Sequence, residues 1–228
     1  MKSPFFTAAA GLIALLISGS VSATLINVDF QGGSNTYSGQ GVLGGVFDTV
    51  WNPVSSANPN LLFADGSGAS GVSVSVTGFV GNAANNSQTN PILNDWLYGF
   101  SNLMTISIEG LAANSFFDLA FYNGFYWQDF TVSSQAGLLA STRPNTSSSA
   151  GAPPFTTDKY AVLQDVMSDA TGVITILDTP VSGGPYGLSS SIAGLQIQQV
   201  ASVPEPSTLA LFTLGIMGFS LRRFKKQA

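Results

Sequence analysis

Between Gly71 and Val80 the chain alternates cleanly, with Val72, Val74 and Val76 on one side and Ser73, Ser75 and Thr77 on the other. Side chains repeat with period two only along an extended strand, so this stretch reads as a β-strand with one buried and one solvated face. The same period recurs through most of the chain. Leu25–Phe30 sets Ile26, Val28 and Phe30 against Asn27 and Asp29, and Leu103–Glu109 turns Met104, Ile106 and Ile108 inward. Phe116–Tyr122, Tyr126–Val132, Tyr160–Met167, Val173–Leu177, Leu188–Ser190 and Leu195–Val200 read as further strands. Val42–Phe47, Leu61–Ala64 and Trp96–Phe100 read as shorter ones, and Trp51 as a core or rim aromatic. No stretch between Thr24 and Ser202 carries a helical stripe.

Turn chemistry punctuates these strands. The run QGGSNTYSGQG after Phe30 is a glycine-rich loop, Asn52–Asn60 holds two prolines, and Gly81–Pro91 is polar. Asn123-Gly124 and Asp169-Ala-Thr-Gly172 carry hairpin signals. Ser141–Pro154, rich in Ser, Pro and Gly, reads as a loop within one domain, because strands resume after it. Many short strands with glycine-rich turns predict an all-β, two-sheet sandwich.

Charge narrows the functions open to such a domain. From Thr24 to Ser202 there are eleven acidic residues against Arg143 and Lys159 alone, a net charge of −9. The whole-chain value of −5 therefore hides an acidic middle between basic ends. A surface of that sign repels phosphate backbones, so nucleic acid is not an expected partner. Cysteine and histidine are both absent. Their absence excludes disulfides, cysteine nucleophiles, His-containing serine triads and the usual zinc sites.

Both ends carry features of membrane-directed segments. Met1-Lys2 forms a basic start, Ala8–Ile17 an apolar stretch, Gly19-Ser20 a break, and Val21-Ser22-Ala23 a small-residue site, so a signal peptide over 1–23 with cleavage after Ala23 is expected. At the other end, Thr208–Leu221 holds fourteen residues without a charge. As a helix that run measures about 21 Å, short of the roughly 30 Å hydrocarbon core. Ser207 and the snorkelling stems of Arg222 and Arg223 narrow the gap. A marginal span, an interfacial or buried helix, and a processing signal that enters the membrane only briefly all remain open on these residues. The cluster Arg222, Arg223, Lys225 and Lys226 favours the membrane readings, since positive charge stays on the cytoplasmic side. The domain from 24 to 202 then stands outside.

The segment VPEPST, the apolar run and the terminal RRFKK together resemble the PEP-CTERM sorting signal of Gram-negative bacteria. On that resemblance 203–228 is the sorting signal. Pro204, Glu205 and Pro206 form the box, Ser207–Leu221 the membrane helix, and Arg222, Arg223 and the residues to Lys226 the basic stop. The resemblance implies handling by exosortase, a membrane-embedded cysteine transpeptidase, in species that make exopolysaccharide. It also implies cleavage near the box and display at the cell surface or release into the extracellular matrix. It says nothing about catalysis by this chain. More loosely, the stretches INVDF, ADGSGASGVSVSVTG, LYGF, ISIEGL, FFDLAFYNG and IAGLQI resemble those of uncharacterised jelly-roll ectodomains that often carry this tail. That implies a jelly-roll with first and last strands adjacent.

Two function classes compete for the exported domain. A carbohydrate-active enzyme would need two carboxyl groups roughly 5–9.5 Å apart. Glu109, with Asp95, Asp118 or Asp129 across from it, is the candidate pair. A non-catalytic surface or matrix protein would instead offer rings to sugar. Tyr122, Phe125, Tyr126 and Trp127 surround Asn123-Gly124, with Asn123, Gln128 and Asp129 near enough in sequence for polar contacts. Asp29 and Asp65 are candidate oxygen donors for calcium, although neither an EF-hand loop nor a GGxGxD repeat is present. No other cofactor is expected. The expectation is an exported, non-catalytic surface protein, with exosortase, signal peptidase and exopolysaccharide as its partners and the inner membrane as at least a transient station.

Overall fold

The computed structural model describes residues 24–31, 36–84, 91–100, 103–135, 137–144, 157–185 and 187–200. The expected signal peptide with Ala23 lies outside the described residues, and so does the expected sorting signal with Pro204, Glu205, Pro206, Arg222 and Arg223. Among the described residues no helix is long and apolar enough to cross a membrane.

The alternation folds as strands, numbered here in chain order. One sheet has five, ordered β11 (Tyr160–Met167), β8 (Phe116–Tyr122), β14 (Gly194–Gln199), β1 (Leu25–Phe30) and β2 (Trp51–Val54). A second has six, ordered β10 (Leu139–Thr142), β9 (Gln128–Val132), β12 (Ile174–Pro180), β7 (Met104–Glu109), β4 (Ser73–Thr77) and β3 (Ala57–Asn58). The expected two sheets thus become three, because β13 (Ser189–Ile192), β6 (Asp95–Phe100) and β5 (Gly81–Ala84) form a small sheet of their own. Strand β1 pairs antiparallel with β14 and parallel with β2, which sets the first and last strands side by side.

The core lies between the two large sheets. Ile26, Val28, Phe30, Phe117, Leu119, Phe121, Leu195 and Ile197 meet Val74, Val76, Met104, Ile106, Ile108, Phe130, Ile174 and Ile176 there. Phe121 stacks on Phe130 with centroids 4.4 Å apart, as an offset aromatic pair does at such a contact. Parity also carries one acid inward. Asp178 shares the buried face of β12 with Ile174 and Ile176, opposite Met104 and Phe130.

Several expected elements differ from this. Val42–Phe47 is not a strand, and Leu61–Ala64 contributes only a bridge between Leu62 and Ala69. Gly81–Ala84, expected as loop, is β5, and Leu139–Thr142 is the edge strand β10. The two hairpin signals are turns but not hairpins. Asn123-Gly124 leads from β8 in the five-stranded sheet to β9 in the six-stranded one, and Asp169–Gly172 likewise leads from β11 to β12. Asp169 Oδ1 accepts the N–H groups of Thr171 and Val173, so the local turn chemistry is satisfied while the chain changes layer.

The expected solvated side of β1 is also buried. Asn27 and Asp29 lie beneath residues 36–50, which cross the outer face of the five-stranded sheet. Gln196 on β14 anchors that segment: its Oε1 accepts the Leu43 N–H at 2.8 Å, and its Nε2 donates to Leu43 O at 3.0 Å and Asn27 Oδ1 at 2.8 Å. Tyr122 Oη accepts the Val42 N–H at 2.6 Å and donates to Gln196 Oε1. A Cβ at Gly41 would stand 2.3 Å from the Gln196 amide, so glycine there permits the close approach.

Candidate functional site

The folded unit has two ends. At the exit end both chain termini of the unit emerge, where Gln199 N–H donates to Thr24 O at 3.0 Å and Val200 N–H to Phe116 O at 2.9 Å. A cavity of about 170 Å³ opens there between the large sheets, lined by Ile26, Phe63, Val72, Leu111, Phe117 and Ile197 among others. At the far end lie the turn from Tyr122 to Gln128 and, among the described residues, most of the aromatic side chains outside the main core.

The far end is a second, aromatic-rich cluster on the outer face of the five-stranded sheet. Tyr37, Trp51, Ile92, Leu93, Trp96, Tyr122 and Phe125 are buried in it. The rings meet edge to face: Tyr37 and Trp51 have centroids 5.1 Å apart, and Trp51 and Tyr122 5.8 Å apart. Trp96 lies against Phe125 at 4.4 Å. Of the four rings expected to meet sugar, Tyr122 is 0% and Phe125 9% exposed, so neither offers a face to solvent. Tyr126 and Trp127 are half-buried and reach the surface.

The polar neighbours of this turn are committed inward. Asn123 Nδ2 donates to Tyr126 O and Thr142 Oγ1, and its Oδ1 accepts from Ser191 Oγ at 2.8 Å. Gln128 is fully buried and bonds the backbone of Ser191 in both directions. The domain's two basic residues clasp the same turn. Lys159, buried, donates from Nζ to Gly124 O at 3.0 Å. Burial holds its pKa below the usual lysine value, against the opposing pull of Asp158. Arg143 pairs with Asp129 at 2.6 Å, donates to the carbonyls of Gln128 and Thr142, and sets its guanidinium 5.9 Å from the Trp127 ring centre. Trp127 also packs on Gly183 and Gly184. The sequence singled out Arg143 and Lys159 as the domain's only positive charges but not as holders of this turn. Their scarcity in an acidic domain was the signal available.

The acids group differently from expectation. Glu109 is exposed at the exit end of β7 and accepts from Ser107 Oγ. Asp129 lies at the other end of the same sheet, opposite Thr179, about six residues or roughly 20 Å along the strands. Glu109 therefore forms no catalytic pair with Asp129. Asp29 and Asp65 do not come together either. Asp65 is exposed, with Ser67 hydrogen bonds holding its carboxyl below the usual range, while Asp29 is wholly buried four residues up β1 from the exit end.

The acid that Asp29 does meet is Asp95. The 3-10 turn Pro91–Leu93 seats Ile92 on Gly194, the cross-strand partner of Asp29, where a Cβ would be 2.6 Å from Ile92 Cδ1. Asp95 follows that turn and is 3% exposed. Burial above all, and then the Asp95 charge, push the Asp29 carboxyl up to about 7, against hydrogen bonds from Tyr37 N–H and Gln31. Asp29 Oδ2 accepts the Tyr37 N–H at 2.7 Å, while Oδ1 is buried without a hydrogen-bond partner. Among the described residues no three of His, Cys, Asp or Glu come close enough to hold a metal ion.

Residues 202–225 match the family model described as the PEP-CTERM protein-sorting motif. No curated protein matches the chain. The motif implies interaction with an exosortase system and fits a sorted, surface-exported protein.

Proposed function

We propose that this chain is an exported, non-catalytic surface or matrix protein whose folded unit is delivered by its C-terminal signal and meets exopolysaccharide through the far end. The observation that carries the reading is the sorting motif at 202–225. Signal peptidase acts at Ala23 and an exosortase near Pro204-Glu205-Pro206, with Ser207–Leu221 as the helix held in the inner membrane until then. Tyr126 and Trp127 are the sugar contacts, since they are the two rings of the turn that reach solvent. Their platform is rigid, because Lys159, Arg143 and Asn123 tie the turn from three sides. A rigid platform binds with little ordering cost. Calcium is not needed for this role. The jelly-roll reading draws its support from the β1–β14 adjacency.

The runner-up is a carbohydrate-active enzyme, and one observation favours it: Asp29, raised to about 7, stands beside a second carboxyl group. A general acid works best with a pKa near the operating pH. Against it, Asp29 and Asp95 are 0% and 3% exposed beneath an aromatic lid, so a glycosidic bond has no approach to them. The deciding experiment replaces Pro204, Glu205 and Pro206 with alanine in the producing bacterium. Accumulation of an unprocessed precursor in the inner membrane is expected, and normal display or release would defeat the sorting reading. Mature protein is then sedimented with the cell's own polysaccharide. Binding without sugar release supports the matrix role, and turnover of the polymer supports the enzyme.

A further inference from the structure

The exit end carries apolar side chains that the fold does not use. Phe116 on β8 and Met167 on β11 are direct cross-strand partners, 48% and 40% exposed, on the outer face of the five-stranded sheet. Two strands away on the same face, the turn at Val46 and Phe47 rests beside Leu25, because Gly44 lies against the Leu25 side chain. Phe47 is 85% exposed, the most of any large apolar residue described. Two strand spacings, about 10 Å, separate β1 from β8, with Gln198 of β14 opposite both Leu25 and Asp118 between them. These side chains therefore lie as a strip along one rim that this polar residue interrupts. Its fringe is acidic: Asp48 follows Phe47, and Asp118 and Asp165 join beside Phe116 through the Asp165 N–H to Asp118 Oδ1 bond. The only basic residues described, Arg143 and Lys159, are at the far end.

The chain leaves this rim at Val200, whose N–H is bonded to Phe116 O. Pro204 is four residues further on. Four extended residues span at most about 14 Å. Any enzyme that engages the box is therefore tethered within that distance of Val200. We propose that the strip of Val46, Phe47, Phe116 and Met167 docks on the extracytoplasmic face of the membrane enzyme that processes the tail, through an apolar patch fringed with basic residues. This rests on the sorting reading above. Charge argues against two other occupants. Anionic lipid would face Asp48, Asp118 and Asp165, and a second copy related by a twofold axis would set those acids against each other.

The test follows the full-length precursor by pulse-chase in cells that carry the sorting machinery. Phe47→Ser with Phe116→Ser is expected to slow conversion about tenfold, the loss of roughly 1.4 kcal/mol of docking. Phe100→Ser with Leu188→Ser, also exposed but remote from the exit, is expected to leave the rate unchanged. Conversion of the Phe47/Phe116 variant at the parental rate overturns the proposal. If that double variant melts early, Phe47→Ser alone decides, since a side chain so exposed has no core to disturb. A photo-crosslinking residue at position 47 should capture the processing enzyme, and capture of only lipid or a second copy overturns the proposal in favour of that occupant. The alanine-substituted box separates the two ideas: if its conversion is also normal, the sorting reading has failed and not merely the docking surface.

Discussion

Asp178 stands directly opposite Met104 across β12 and β7, with its carboxyl group wholly inside the core and neither oxygen hydrogen-bonded. Burial alone pushes its pKa well above the carboxylate range, so the group is neutral where an exposed aspartate is charged. The folded state then holds a proton that the unfolded chain has released. Its contribution to stability is full below the unfolded value near 4 and is lost as pH rises through the folded one. Asp178→Leu is expected to stabilise the domain at pH 7 by roughly 1–3 kcal/mol, the usual cost of an unsatisfied buried polar group. The gain should shrink toward pH 4, and thermal unfolding at both pH values measures it.

Asp29 has the same sign over a defined window. Its pKa is raised to about 7, so stability should fall between about pH 4 and 7 by up to one proton's worth, about 1.4 kcal/mol per pH unit. Asp29→Asn keeps an acceptor for the Tyr37 N–H and removes the proton, and is expected to flatten that part of the profile. Carboxyl carbon titration by NMR should place the wild-type midpoint near 7. A midpoint near 4 would mean that the Asp29 environment is wetter than described.

The segment 36–50 is held mainly by side chains of the sheet below it. Tyr122→Phe removes the hydroxyl that accepts the Val42 N–H and donates to Gln196. A cost of roughly 1–3 kcal/mol is expected, because both partners are left without it at a buried site. Hydrogen exchange at Val42 and Leu43 should accelerate while exchange in β8 and β14 stays slow. Uniform acceleration throughout would instead show that the segment is no separate unit.

At the far end, Trp127→Ala should abolish co-sedimentation with polysaccharide while costing no more than roughly 2 kcal/mol of stability, since the ring is only half-buried. Arg143→Ala is the informative companion. It removes a partly exposed ion pair worth about 1 kcal/mol or less and uncovers the Trp127 ring. Tighter sugar binding by that variant would mean the guanidinium competes for the ring. Weaker binding would mean it holds the ring in place.

Much of the fold was legible because period two is a local property. Met104, Ile106 and Ile108 faced inward as their spacing demanded, and parity along β12 placed Asp178 with Ile174 and Ile176 on a buried face. Asn123-Gly124 and Asp169–Gly172 were legible as turns and misleading as hairpins. A turn's residues fix its reversal, whereas the sheet that receives the next strand depends on remote partners such as Thr142 and Ser191. The burial of Asn27 and Asp29 was hidden for the same reason: the anchor of their cover, Gln196 to Leu43, joins residues 153 apart in sequence. The meeting of Asp29 with Asp95 depends on Ile92 seating on Gly194, which no local pattern announces.

The place of β14 has a consequence for how export and folding are timed. That strand lies between β8 and β1 and hydrogen-bonds to both. Without it the five-stranded sheet is two detached ribbons, β11 with β8 and β1 with β2. A chain that crosses a membrane from its N-terminal end delivers β14 last among the strands, so the ribbons wait for it and lock together in one step. A chain ended before Gly194 should stay open to protease in β1, β2, β8 and β11, while one ended at Val200 should resist. Arrival of β14 is then expected to be the event that closes the five-stranded sheet.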